Sequence, residues 1–199
     1  WEAKELMEKY KIERIPVVDN GIVIGILTKS QLIKKIGQLH DPLTGIHNAN
    51  YIYQVASSIL SEGFEISVVL LDINNFGEVN KQWGHVYGDK CLKIIAKILE
   101  DNTVRERDYV CRYGGDEFVI VTLNDINNAK QLTLNLIECI ATESSKAGIP
   151  ITVSAGICGG RRRYSRDNGD PYKVVENLIN KASLASTKAK KAKMKYAIG

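Results

Sequence analysis

The residues with most chemistry to offer lie in Arg112-Tyr113-Gly114-Gly115-Asp116-Glu117-Phe118. Short β-prone runs flank the two glycines: Tyr109, Val110 and Cys111 before, and Phe118, Val119, Ile120 and Val121 after. Two glycines between such runs predict a tight hairpin turn. Glycine reaches positive φ at no steric cost and lets another molecule approach the backbone closely. Two carboxylates follow at once, and a hairpin that only reverses the chain needs neither. Adjacent strand residues point to opposite faces, so Asp116 and Glu117 can play different parts. A third carboxylate, Asp72, follows the apolar residues Ile66, Val68, Val69, Leu70 and Leu71. A charge at that point is either a simple strand terminus or a ligand to a cation, and both readings stay open on the residues alone. Near the C-terminus, Lys181, Lys188, Lys190, Lys191, Lys193 and Lys195 read as a solvated basic face.

Several elements must position these side chains. The continuous apolar run at residues 65–73 predicts a central strand buried on both faces. Residues 50–60 have helical apolar spacing and 75–82 make a short helix. Residues 87–101 form an amphipathic helix through Leu92, Ile95, Ile98 and Leu99. After the hairpin, Asn124 or Asp125 caps a helix that runs to residue 146, and residues 149–157 alternate as a strand. Residues 159–172 are rich in Arg, Gly and Asp, as an exposed loop is. Asp170-Pro171 supply the cap and first position of a last helix, running to residue 193. The order is helix, strand, helix, helix, hairpin, helix, strand, helix. It predicts an α+β fold with helices packed on a mainly antiparallel sheet.

Residues 1–38 differ in character. Ala3, Leu6, Met7 and Tyr10 share one side of a helix; Asn20-Gly21 marks a hairpin between two short strands; a second helix follows at residues 28–37 with Ser30 as cap. Leu6-Met7, Ile15-Pro16-Val17-Val18-Asp19, Gly25-Ile26-Leu27-Thr28 and Leu32-Ile33 together resemble the later part of a CBS motif. Such motifs work in pairs and often bind adenine nucleotides. The resemblance implies a truncated regulatory module, with an adenine nucleotide as ligand of the complete pair; a packing arm for the next domain is the alternative.

The 199 residues are 44% hydrophobic and 25% charged, ordinary globular values. A net charge of +4 suits anionic ligands such as nucleotides and is too small to argue for nucleic acid. Cys91, Cys111, Cys139 and Cys158 lie scattered in apolar runs, as reduced core thiols do. No run of about 18 apolar residues marks a membrane span, and no signal peptide is visible. A chain that opens on Trp1 is expected to be a piece of a longer protein, whose topology is not readable from this piece.

The hairpin string resembles the signature of GGDEF domains, the diguanylate cyclases, at five consecutive residues from Gly114 to Phe118. Asp41-Pro42-Leu43-Thr44-Gly45-Ile46 resembles the opening of the same domain, and 39–199 is its expected extent, after 1–38. Asp72-Ile73-Asn74-Asn75-Phe76, Asn80, Gly84-His85 and Gly88-Asp89 resemble a further family pattern at full spacing. The resemblance implies the palm-like sheet shared by nucleotide cyclases and polymerases. It also implies condensation of two GTP into cyclic di-GMP with release of pyrophosphate, a homodimer for catalysis, and a bacterial, cytoplasmic setting. By resemblance Asp72, the Ile73 carbonyl and Asp116 hold Mg²⁺ or Mn²⁺, and Glu117 assists as ligand or as base for the 3′-hydroxyl. Asn80 and Asp89 bond the guanine edge. Phe76, Gly77, Gly114, Gly115 and Lys188 line the substrate, with amides near Phe76 and Gly77 cradling phosphates at a helix start. Such a mechanism rests on divalent ions held by carboxylates. His85 and Trp83 are expected to be structural.

Arg105-Glu106-Arg107-Asp108 lies five residues upstream of the signature, where the family has its inhibitory site. Arg105 and Asp108 are expected to grip the cyclic di-GMP product. Some positions depart from the family. Gly77 stands where a lysine is common, Ala49 where an arginine is, and Ala192 where a phosphate-binding arginine is expected. Lys181 and Ala185 replace an expected aspartate and tyrosine, and Asn74 a frequent aspartate. Loss of a cation beside developing charge costs several kcal/mol of barrier. The alternative implied is a weakened domain that binds GTP or cyclic di-GMP as a sensor.

Overall fold

The computed structural model describes residues 2–159 and 170–199. It divides into two compact units, Trp1–His40 and Asp41–Gly199. The first unit contains α1 (Glu2–Tyr10), β1 (Arg14–Asp19), β2 (Ile22–Thr28) and α2 (Lys29–Leu39). Asn20 and Gly21 both take positive φ, 47° and 80°, as a two-residue hairpin turn requires. The strands pair antiparallel from Arg14 with Thr28 to Asp19 with Ile22. The cap of α2 differs from the sequence expectation. Thr28 Oγ1 accepts from the Gln31 N–H at 3.2 Å while Gln31 Oε1 accepts from the Thr28 N–H at 3.1 Å. That reciprocal capping box starts the helix one residue after Thr28 and leaves Ser30 inside it. Met7 is buried, whereas Leu6 and Tyr10 on the same helix are exposed.

The second unit contains β3 (His47–Asn48), α3 (Ala49–Ser61), β4 (Ser67–Ile73), α4 (Phe76–Trp83), α5 (His85–Asp101), β5 (Asp108–Gly114), β6 (Glu117–Thr122), α6 (Ile126–Lys146), β7 (Val153–Gly159), α7 (Pro171–Lys191) and β8 (Tyr196–Ile198). The sheet order is β3-β5-β6-β4-β7-β8. Its four central strands are antiparallel, and β3 and β8 add to the edges in parallel. The fold is α+β, a central antiparallel sheet flanked by helices. The two short edge strands have no counterpart in the sequence reading, and the polar stretch at residues 160–169, expected as a loop, lies outside the described residues.

The apolar run of β4 is explained by its place. Val69, Leu71 and Ile73 face one core layer with Ile95, Leu99, Leu136 and Ile140 of α5 and α6. Val68 and Leu70 face the other with Ile52, Ala56, Val175 and Ile179 of α3 and α7. The strand's period of two therefore fills both layers. Helix α7 crosses β7 at Gly156, where a Cβ would overlap the Ala182 carbonyl oxygen and crowd the Ser186 amide. Small residues on that side of α7, Ala182, Ala185, Ser186 and Ala189, permit the approach and are all buried. Asp125 caps α6 and Asp170 caps α7, the latter with proline in the first turn. Cys91, Cys111 and Cys158 are buried free thiols, and Cys139 is partly exposed. Among the described residues, no helix is long and apolar enough to cross a membrane.

Candidate active site

The site forms where β4 runs out against the turn between β5 and β6. Asp72 pairs in register with Glu117 on one side and Ser154 on the other. Gly115, with φ of 48°, and Asp116 make the turn; Gly114 and Gly115 are exposed, with open space where each Cβ would stand. The Ile73 N–H donates to the Asp116 carbonyl at 3.3 Å, which ties strand end to turn. Beneath the turn, Arg112 donates through Nε and Nη2 to the Gly115 carbonyl, at 3.0 and 2.7 Å. Its Nη1 reaches both carboxylate oxygens of Asp41 at 3.2 Å. Burial pushes the Asp41 carboxyl up, but Thr44 and Arg112 outweigh it and hold it below the usual range. Tyr113 Oη lies 3.0 Å from Tyr53 Oη, on the α3 side. The signature's arginine thus shapes the turn from within the fold, a part that its position in the sequence did not disclose.

Charge is concentrated here. Burial raises the Glu117 carboxyl above its ordinary range; Asp72 and Asp116 raise it further, and Lys190 offsets part of the rise. Lys190 is the cation on the spot. Its ammonium donates to Asp72 Oδ1, and to the Ile73 carbonyl at 3.1 Å. Among the described residues, no group of three or more His, Cys, Asp or Glu is arranged to hold a metal ion. The set read from the sequence draws instead on two carboxylates and a backbone carbonyl. Its all-oxygen chemistry suits a hard divalent ion, and a cation already spans two of the three donors. Asn74 is fixed nearby: its Nδ2 donates to Thr152 at 3.1 Å and its Oδ1 accepts from Ser154 at 2.9 Å.

Phe76, Gly77, Asn80 and Asp89, expected from the sequence to face the nucleotide, lie at the α4–α5 corner. Phe76 opens α4 and packs against the core. Asn80 Oδ1 is buried without a hydrogen-bond partner. A Cβ on Gly88 would run into that side chain, so the glycine is what lets Asn80 lie there, with Asp89 next along α5. Gly77 is exposed, and nothing lies within 4 Å of where its Cβ would be. Lys81 does not fill that place: it pairs with Glu78 at 3.0 Å on the open surface. Lys188, assigned to phosphate from the sequence, lies on the exposed side of α7, and Lys190 is the lysine that enters the site. Two residues turn a helix by about 200°, so these lysines look in opposite directions. His85, expected to be structural, is the exposed first residue of α5.

At the upstream string, Arg105 is exposed but Asp108 is buried. Its Oδ1 accepts from the Thr122 hydroxyl at 2.6 Å and Arg107 Nε at 3.3 Å; its Oδ2 accepts from the Val104 N–H at 2.9 Å and Arg107 Nη2 at 3.0 Å. A carboxylate has about four acceptor positions, and here all are used within the chain. The geometry therefore does not offer the Asp108 carboxylate to a guanine edge, as the sequence reading expected. Burial pushes this carboxyl up, yet Arg107, Thr122 and the Val104 amide outweigh it and hold it low.

Residues 38–196 match the family model "Diguanylate cyclase, GGDEF domain", and residues 1–38 match that of the CBS domain. The chain belongs to the GGDEF family. It is 30% identical over 150 residues to "Probable diguanylate cyclase DgcT" of Escherichia coli, covering 71% of this chain and 33% of that protein. To "Response regulator PleD" of Caulobacter vibrioides it is 37% identical over 120 residues, covering 58% of this chain and 25% of that protein. The chain thus spans between 19% and 41% of the length of the curated relatives it matches. Among solved structures, diguanylate cyclase SiaD of Pseudomonas aeruginosa, in complex with its activator SiaC, superposes with a TM-score of 0.67 at 25% identity, covering 83% of this chain and 63% of that one.

Proposed function

We propose that this chain is a diguanylate cyclase that condenses two GTP into cyclic di-GMP and releases pyrophosphate. The observation that carries the reading is the meeting of Asp72, the Ile73 carbonyl, Asp116 and Glu117 at one strand end. Asp72, Asp116 and the Ile73 carbonyl would hold Mg²⁺ or Mn²⁺. When bound, such an ion neutralises charge on phosphoryl oxygens. Glu117, whose proton affinity its surroundings raise, accepts the proton of the attacking 3′-hydroxyl. A base works best when its pKa is brought toward the working pH. The unpartnered Asn80 Oδ1 supports a guanine subsite with Asp89, since guanine N1–H and N2–H₂ supply the donors it lacks. The open backbone of Gly114 and Gly115 admits the substrate.

Each chain holds one GTP, so turnover requires two chains face to face. Arg105 contacts the product in the inhibitory site, while Asp108 supports that loop from inside. The CBS-like segment belongs to a regulatory pair whose complete form takes an adenine nucleotide, in a bacterial cytoplasm. Incubation with GTP and Mg²⁺, with mass spectrometry of products and light scattering for oligomeric state, tests the activity. Cyclic di-GMP and pyrophosphate are expected; a dimeric sample that makes neither overturns the reading.

A second reading, a weakened domain that senses GTP or cyclic di-GMP, is favoured by the bare surface at Gly77 and the engagement of Lys81 with Glu78. Space for a side chain exists at Gly77, so Gly77→Lys is the discriminating variant. If Gly77→Lys gains cyclic di-GMP synthesis over an inert parent, the sensor reading holds; robust turnover by the parent removes it.

A further inference from the structure

The reading above gives Asp72 and the Ile73 carbonyl to a divalent ion. In the chain itself one cation already shares both, the ammonium of Lys190. Its position is built by the fold. Lys190 lies in the last turn of α7, next to buried Ala189. The helix closes directly after it, with the Met194 N–H donating to the Ala189 carbonyl at 2.9 Å and the Lys193 N–H to the Lys190 carbonyl at 3.2 Å. That is the two-bond Schellman closure, and Lys193 takes the left-handed φ of 54° that it demands. Farther back, the Gly156–Ala182 contact seats α7 on β7, the sheet neighbour of β4. The ammonium is aimed at Asp72 by elements that are themselves fixed.

An ammonium and a divalent ion seated on the same oxygens oppose each other. They compete for the same lone pairs, and like charges a few ångströms apart in a partly buried site repel strongly. We propose that Lys190 is a resident counter-ion of the metal site, and that a divalent ion enters only by displacing it. The lysine has a second place to go. It also lines a pocket of about 680 Å³ with Lys193, Lys195, Asn74 and Thr152. Displaced, its ammonium joins two further lysines there against the single carboxylate of Glu138, so the pocket gains net positive charge that a polyphosphate neutralises. Metal and nucleotide therefore assist each other's binding, and the linkage is reciprocal. The inference rests on the metal reading of Asp72, and the test separates the two.

The probe is Mn²⁺ added to the full chain without nucleotide, followed by electron paramagnetic resonance of the free ion. Lys190→Gln and Lys190→Met are both expected to bind Mn²⁺ about tenfold more tightly than the parent, a difference worth about 1.4 kcal/mol. Adding a non-hydrolysable GTP analogue is expected to tighten the parent and narrow that gap. Melting curves provide a second readout, with Mn²⁺ raising the melting temperature more in either variant than in the parent. Equal or weaker Mn²⁺ binding by both variants, still abolished by Asp72→Asn, overturns the counter-ion and leaves the metal site standing. Mn²⁺ binding that Asp72→Asn does not change, or no binding by any of the proteins, overturns the metal reading and the inference with it.

Discussion

Glu117 holds a carboxyl that its surroundings favour in the neutral form. The sign of its effect on stability follows. With the folded pKa raised, the contribution is full below the ordinary glutamate range and is lost as pH rises through the folded value. Glu117→Gln should therefore raise the melting temperature at neutral pH in metal-free buffer, with the gain fading on acidification. Melts across the pH range check this, and a gain that grows toward acid contradicts it. Asp108 has the opposite sign. Its carboxyl is held low, so its contribution is present above the ordinary aspartate range and lost as pH falls through the folded value. Asp108→Ala leaves the Val104 amide, the Thr122 hydroxyl and Arg107 without their acceptor. The expected loss is about 3 kcal/mol in urea unfolding; a loss under about 1 kcal/mol would show that water replaces the carboxylate. Asp72, Asp116 and Glu117 were legible in the sequence because their motifs are local. The choice among the lysines of α7 was not, since it depends on how the helix is rotated against β7. Nor does a charged string reveal that Asp108 is enclosed.

At the scale of elements, one glycine and one lysine in a glycine-like conformation give sharp expectations. Gly156→Ala places a methyl group into the backbone of α7. Backbone yields less readily than a side chain, so a loss of about 3 kcal/mol or more is expected, measured by thermal melts. Lys193 is the reverse case, a side chain in a conformation that favours glycine. Lys193→Gly should stabilise by about 0.5–1 kcal/mol; chemical denaturation at two salt concentrations separates the backbone effect from that of the removed charge. The long elements were legible because burial imprints a period on them. The two-residue β3 and three-residue β8 carry no period. Their pairing is supplied by β5 and β7. The cap of α2 was misplaced because serine and threonine stand two apart, and only the reciprocal bond from Gln31 selects Thr28.

At the scale of the whole molecule, the two units differ in how much they bury. The second has two core layers. In the first, Val17, Val18, Ile22, Val23, Ile24 and Ile26 are all exposed. A unit of about 40 residues with so small a core is marginal. A variant lacking residues 1–40 should therefore melt within about 2–4 °C of the full chain, while residues 1–40 alone show no cooperative transition by circular dichroism. A large drop in the shortened variant contradicts this. The α+β class followed from the order of helices and strands. The sheet order did not, because which strands become neighbours is decided by packing across long sequence separations, and no local pattern records it.

β4 is bonded along both edges by β6 and β7, with core on both faces. Viewed on a clock rather than as a shape, such a strand opens only when the unit as a whole unfolds, and its amides exchange with solvent last. The turn of Gly115 and Asp116 is held by fewer bonds, from Arg112 to the Gly115 carbonyl and from the Ile73 N–H to the Asp116 carbonyl, so it can open without unfolding the unit. One carboxylate of the site thus belongs to the strand that opens last, while Asp116 sits on a turn whose opening needs only local bonds to break.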